Sequence, residues 1–394
     1  MWTIEDAITA CRSAVEPLGA ESLALTEAVG RVLAHAVHAT TAHPHANLSA
    51  MDGYAVCSAH IPADRRFDLS MAIPAGTIPV EPLTPGQAAR IYTGAQLPTG
   101  ADCVVPQEEA TREDSAVVLH GDMTAGRFVR PHAADLSPGQ PLAAPGTRLT
   151  PGLLAVLVAQ SIARVDVVRR PVVSIVPNGA ELVPLGTAPP PGKIVDVNGP
   201  LLEALLTQHG ARARRYDPIT DDRAALAKRL EEAAQGADLV LVTGGMSVGD
   251  HDHARDLLGH DEPATFYRVA SRPGKPLGLG RVHGVPMLGM PGNPVSTFVS
   301  FLRFARPMLR AMRGTDEPAR QTARLATPVR PLKTRTDHLR ATIDWRDGEA
   351  WVVPASRQGS GDLSGLLQSD ALIVVPTGDT DLHAGTTVEI IPCT

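Results

Sequence analysis

Four segments in the middle of the sequence carry residues suited to holding an anion or a metal. PVVSIV leads into PNGAEL, which carries Glu181. DLVLVT leads into GGMSVGDHD, in which Gly244, Gly245 and Gly249 flank Ser247, and Asp250 and Asp252 follow. Glycines let backbone amides approach a ligand, and successive amides in such a turn form an anion-binding hollow. Carboxylates at its end suit Mg²⁺, which takes one or two of them together with phosphate oxygens. The segment RVASRPGKP then brings Arg268, Arg272 and Lys275 close together, with Pro273 and Gly274 between the last two. Arginine offers a planar fork of donors and lysine a compact point charge, so both kinds converge on one loop. In GMPGNPVS, Asn293 and Pro294 fit the cap and first position of a helix, whose free N–H groups form a ready oxyanion site.

Each device alone has a plain structural explanation: a glycine turn closing on a helix, a solvated basic loop, ordinary capping. Together with the carboxylates they fit a ligand that carries phosphates and a metal. Two N-terminal segments add to them: SAMDGYAV, with Asp52, and IYTGAQLPTGADCVVPQEE, with Thr93. His43, His45, His251 and His253 form H-x-H pairs with no Cys or third His at ligand spacing, which reads as solvent-facing loop. No residue has the setting of a covalent nucleophile.

The elements that must position these residues follow from patterning. Apolar spacing predicts a helix over Thr3–Val15 and helical character again at Glu27–Leu33. From Tyr54 to Arg148, short apolar runs cut by Gly and Pro predict an all-β unit. Thr150–Ser161 reads as a helix with Pro151 in its first turn. After Pro171 strands and helices alternate, which implies a mainly parallel α/β sheet. Within it, Asn198 is expected to cap a helix ending at Gly210, and Asp221–Gln235 to form a second helix closed by Gly236. TFYRVA and PLGLGRVHGVPMLGMPG supply further strands, and a long helix runs from Asn293 to about Met312. Beyond a charged linker near Gly314–Arg320, four short β runs make a small C-terminal β domain. In doubly wound sheets ligands sit beyond the carboxyl ends of the strands, which is where the unusual residues fall.

Composition agrees. At 394 residues the chain is long enough for several domains. Its net charge of -6 argues against a general nucleic-acid binder and leaves room for a local basic pocket. The four cysteines (Cys11, Cys57, Cys103, Cys393) are far apart and read as free thiols. No apolar run reaches the length of a membrane span, and the opening segment lacks the basic start and apolar core of a signal peptide. A cytoplasmic location is expected.

The segments SAMDGYAV, YTGAQLPTGADCVVPQEE, GGMSVGDHD, RPGKP and GMPGNPVS, in this order, resemble the MoeA family of molybdopterin molybdenumtransferases, which includes the gephyrin E domain. The resemblance covers nearly the whole chain. It implies an α/β and β multi-domain fold: a discontinuous helical and β stalk (1–46 and 141–170), an inserted β domain (47–140), an α/β molybdopterin-binding domain (171–314) and a C-terminal β-barrel domain (318–394). It also implies a homodimer, with the site between the α/β unit of one subunit and the β unit of the other. The implied activity is insertion of molybdenum from molybdate into adenylylated molybdopterin, with release of AMP and help from Mg²⁺. The upstream molybdopterin adenylyltransferase is a candidate partner; nucleic acid and membrane are not.

Carried over by motif, Asp52, Thr93, Asp252 and Lys275 are the implied catalytic residues. Gly244, Gly245, Ser247, Gly249, Arg268, Arg272, Pro273, Gly274, Asn293, Arg340 and Ser360 are implied to bind the substrates, with Arg340 and Ser360 in the molybdate pocket. Glu181, Asp252 and Asp221 (or Asp222) are the implied metal ligands. The chain departs from the family where Ala180 replaces a carboxylate, where Arg268 and Arg272 replace lysines, and where Gly361 replaces a common histidine. Two rivals are weighed beside this reading. The upstream adenylyltransferase would leave the flanking β domains unexplained. A catalytically weak paralogue, acting as pterin carrier or scaffold, would draw on the Ala180 and Gly361 departures.

Overall fold

A computed structural model of the protein describes residues 1–219, 222–246, 253–258 and 263–393. They form two compact units, Met1–Ser22 with Asp166–Thr394, and Leu23–Val165.

In the first unit a six-stranded sheet has the order Arg212–Arg215, Val172–Pro177, Leu239–Thr243, Val285–Met290, Gly278–Val282, Phe266–Tyr267. The first four strands are parallel, Gly278–Val282 runs against them, and Phe266–Tyr267 pairs antiparallel with Gly278–Val282. Val172–Pro177 and Leu239–Thr243 are buried on both faces, which is why they are apolar without alternation. Val173, Ile175, Leu239 and Leu241 pack with Leu202, Leu206 and Phe298 from the helices on one side. Val176, Val240 and Val242 pack with Leu226 and Leu230 on the other. The N-terminal helix Ile4–Ser13, capped by the Thr3 side chain, buries Ile4, Ala7 and Cys11 in the first of these cores. The second predicted helix runs Arg223–Ala234, and the Asp222 carboxylate accepts from Ala225 N–H at 2.7 Å.

Three local expectations in this unit need correction. The helix Asn198–Gln208 has Val197, not Asn198, at its cap position; the Asp196 carboxylate accepts from Gly199 N–H at 3.0 Å, while the Asn198 amide donates to Gly292 O at 2.7 Å. The strand expected over TFYRVA stops after Tyr267, because Arg268 takes a left-handed φ of 70°. The helix expected from Asn293 to Met312 is interrupted: Pro294–Ser300 and Arg306–Met312 are α-helical, and Phe301–Ala305 between them is a π-helical turn.

The C-terminal region of this unit is a closed five-stranded barrel. Thr336–Arg346, Glu349–Pro354, Gln321–Leu325, Thr387–Pro392 and Ala371–Val375 pair in that order, and the last returns to the first. Leu325, Leu339, Ala341, Val352 and Ile373 fill it. A two-residue strand, Ser271–Arg272, pairs in parallel with the start of Thr336–Arg346, so the basic loop is anchored on the barrel wall.

The second unit contains a six-stranded sheet in the order Cys103–Pro106, Gly53–Val56, Gln87–Ile91, Arg66–Ile73, Ala116–Leu119, Ala110–Glu113. Gly53 is required there, since a Cβ would lie 2.1 Å from the Val105 carbonyl oxygen. Pro151–Ala159 is helical, as expected, with the Thr150 hydroxyl accepting from Leu153 N–H. Glu27–Leu33 is not a helix. A short 3₁₀ turn, Leu25–Glu27, precedes Gly30 at φ 82°, and Gly30, Arg31 and Leu33 pair instead with the backbone of Thr147 and Leu149. Tertiary pairing overrides helical spacing here.

Among the described residues, no helix is long and apolar enough to cross a membrane. All four cysteines are free.

Candidate active site

In the first unit a cleft of about 530 Å³ opens between the basic loop, the start of the helix at Pro294 and the segment 358–360. Its cations are Arg272, Lys275 and Arg335, and its neutral polar groups come from Asn293, Ser296, Gln358 and Ser360. Among the described residues, no carboxylate lies within ion-pair distance of Lys275 or Arg335. Gly274, at φ 99°, brings the loop close to the helix, and a Cβ there would meet Ser300 Oγ at 3.0 Å. Asn293 occupies the cap position, but its side-chain amide donates to Ser360 Oγ at 3.0 Å rather than accepting from its own helix. The N–H of Val295 donates to Ser360 O at 3.2 Å, so part of the expected free helix start is already occupied by the barrel loop.

The strand Thr336–Arg346 braces this cleft from behind. Asp337 is 3% exposed and binds Arg272 through two contacts, Nε to Oδ1 at 3.0 Å and Nη2 to Oδ2 at 2.7 Å. Burial pushes the Asp337 carboxyl above its ordinary value, while Arg272 and Arg335 pull it back. His338 is fully enclosed, with Nδ1 3.3 Å from Ser271 Oγ, and burial pushes it down to about 3. Ser271 Oγ donates to Pro273 O at 2.7 Å, which leaves the Nδ1–H of a neutral imidazole to donate to Ser271.

Arg340 is 1% exposed and belongs to this bracing rather than to the cleft lining. Its guanidinium donates to Asp362 O at 2.8 Å, Arg357 O at 2.7 Å and Gly359 O at 3.2 Å. Arg340 thereby holds the loop that presents Ser360. Arg335 also lines the cleft, and sequence reading missed it. Two arginines lie in one short segment, and only the strand start at Thr336 separates their surroundings.

The carboxyl ends of the parallel strands lie side by side. Asn178 N–H donates to Thr243 O at 2.8 Å, and Gly244 N–H to Met290 O at 3.1 Å. Gly244 and Gly245 have φ values of 85° and 64°, and a Cβ on either would collide with Asn178. Glu181 folds back so that a Cβ on Gly179 would lie 2.7 Å from its carboxylate. The Ala180 carbonyl accepts from Lys193 Nζ. Arg268 is not among the cleft residues. Its guanidinium lies 5.4 Å from the Tyr267 ring centroid, and the Tyr267 hydroxyl donates to Met246 O at 2.6 Å. Asp221, Ser247, Gly249, Asp250 and Asp252 lie outside the described residues.

In the second unit Asp52 and Thr93 are brought together from 41 residues apart. Asp52 Oδ1 accepts from both Thr93 N–H and Thr93 Oγ1, each at 2.7 Å. These bonds hold the carboxyl below its usual range, with Arg90 adding a smaller pull. Arg90 itself donates to Gly53 O at 3.1 Å and lies between the rings of Tyr54 and Tyr92.

The comparisons with known proteins match this architecture segment by segment. Family models match residues 2–161 (MoeA N-terminal region, domain I and II), 174–311 (probable molybdopterin binding domain) and 322–393 (MoeA C-terminal region, domain IV). The chain belongs to the MoeA family. A molybdopterin molybdenumtransferase of Nostoc is 36% identical over 94% of this chain and 88% of its own. Molybdopterin molybdenumtransferase 2 of Mycobacterium tuberculosis is 32% identical over 98% of this chain and 96% of its own. A crystal structure of the molybdopterin biosynthesis MoeA protein of Pyrococcus horikoshii superposes with a TM-score of 0.85 at 27% identity, covering 99% of both chains. The flanking matches at both ends exclude the adenylyltransferase rival, which would answer to the central segment alone.

Proposed function

We propose that the protein inserts molybdenum, supplied as molybdate, into the dithiolene of adenylylated molybdopterin and releases AMP. The observation that carries this reading is the cleft in which Arg272, Lys275 and Arg335 face a space lined by Ser360 and Asn293, in a chain of this family. Molybdate is a tetrahedral dianion, and such a group is best held by convergent charged donors. Lys275 and Arg335 supply point and fork charges, and the Ser360 hydroxyl supplies a neutral partner. Holding oxyanion and dithiolene side by side provides much of the rate gain.

The pterin pyrophosphate would lie at the strand ends, against the amides around Gly244 and Gly245. Glu181 is the described carboxylate that would hold Mg²⁺, which accepts one or two carboxylates alongside phosphate oxygens. When bound, the ion offsets charge as the phosphoanhydride breaks. Asp52, kept ionised by Thr93, would orient the metal or a water. We take the working form to be a cytoplasmic homodimer, in which the acidic turn of one subunit serves the cleft of its partner.

AMP release from adenylylated molybdopterin by the purified protein with Mg²⁺, with and without molybdate, tests the reading. Molybdate-dependent release is expected. Tight pterin binding with no release in either condition would replace the transferase with a carrier built on the same fold.

A further inference from the structure

A carboxylate as enclosed as Asp337 needs a reason to be there. A buried ion pair is a poor stability device, since apolar residues of similar volume often serve as well or better. Asp337 also lies on the parity of Leu339 and Ala341, which fill the barrel. The ladder register sets it directly opposite Arg272, the one residue of that pairing that also lines the cleft. The two contacts use Nε and Nη2 of the guanidinium and leave Nη1 for a ligand. A lysine at this position would need no such partner, because an ammonium presents the same donors in any rotation, whereas a planar fork is useful only when its plane is fixed.

We propose that Asp337 is a positioning residue for oxyanion binding, acting through Arg272: it fixes the plane of the fork, keeps the Nη1 edge for the oxyanion and offsets one of the three cleft cations. The proposal rests on the molybdate-binding reading given above. Its consequence is that Asp337 matters only while residue 272 is an arginine.

The test is a double-mutant cycle on the full chain, titrating molybdate alone by calorimetry and measuring KM for molybdate and kcat for AMP release. Asp337→Asn places an amide donor or a single oxygen against the fork. It is expected to weaken molybdate binding about tenfold, the scale of one charge-assisted hydrogen bond, with the change in KM rather than kcat. In the Arg272→Lys background the same substitution is expected to change affinity less than about twofold. A merely structural role would give the same loss in both backgrounds, and that result, or no loss in either, overturns the proposal. If Asp337→Asn does not fold, Asp337→Glu takes its place in the cycle. It keeps the charge but displaces the fork by a methylene, so KM for molybdate is expected to rise while Arg272 is present and to stay within about twofold in the Arg272→Lys background, and an equal change in both backgrounds overturns the proposal. Failure of the unmodified protein to bind molybdate would instead remove the reading beneath it.

Discussion

The cleft of the first unit and the acidic turn of the second both present charge, but they keep it in place by different means. Around the cleft, Lys275 is exposed and Arg272 partly so, and order comes from behind, through Asp337, His338 and Arg340 on one strand. In the acidic turn a single carboxylate is held by its neighbour Thr93, on strands packed so tightly that Gly53 admits no side chain. Of the buried polar residues described, only Ser49 and Gln160 belong to the second unit. Like charges repel, so a cluster of cations needs countercharge and acceptors from the scaffold. A lone carboxylate needs only donors, and one turn can supply them.

The contrast can be broken most strongly at the cleft. Lys275→Ala is expected to lower molybdate-dependent AMP release about 100-fold, on the scale seen when one preorganised electrostatic contact is removed. Arg340→Met leaves the carbonyls of Arg357, Gly359 and Asp362 without their donor. Unfolding in urea is expected to show a loss of about 3 kcal/mol, and Arg340→Lys recovers little of it, because a point donor cannot span three carbonyls. At the acidic turn, Asp52→Asn is expected to reduce turnover about tenfold while calorimetry finds molybdate affinity unchanged. Equal losses of affinity at both places would dissolve the division between them.

Acid should separate the units too. Burial pushes His338 down to about 3 and His209 to about 4, the latter with help from Arg306, Arg310 and Arg313. Both fall below the ordinary value of about 6.5, so the unfolded chain binds more protons between those limits. Stability of the first unit therefore declines as pH falls below about 6.5. Trp2, Trp345 and Trp351 all belong to that unit, so tryptophan fluorescence follows it selectively, and a midpoint independent of pH from 7 to 5 would contradict the assignment. The smallest effect is local. Thr93→Val keeps one of the two hydrogen bonds to Asp52, and NMR titration should show its carboxyl rising toward the ordinary aspartate range.

Much of this was legible beforehand because it is local. Buried parallel strands announce themselves as unbroken apolar runs, Thr3 and Thr150 cap where their types suggest, and Asp222 proves to be the cap of its helix. The loop from Arg272 to Lys275 and the Asn293-Pro294 start are recognisable from residue type alone. What escaped depends on register across long separations. Asp337 meets Arg272 only because a two-residue strand pairs 65 positions away, and nothing in a segment containing Arg335 and Arg340 says which one the barrel loop encloses. Left-handed backbone at Arg268 and the paired extended course of Glu27–Leu33 likewise arise from partners elsewhere in the chain.

The π-helical turn at Phe301–Ala305 works as a phase slip between two docking faces. Ahead of it, the helix meets the 360 loop through Val295; behind it, Arg306 donates to Pro392 O at 3.1 Å, while Arg303 within the turn lies 3.9 Å from Glu389. Each residue turns an α-helix by about 100°, so removing one position to regularise the coil would rotate one face away from its partner. Side chains in this stretch can be exchanged, but its length is fixed by two surfaces at once, and single-residue insertions or deletions there should be tolerated far less than substitutions.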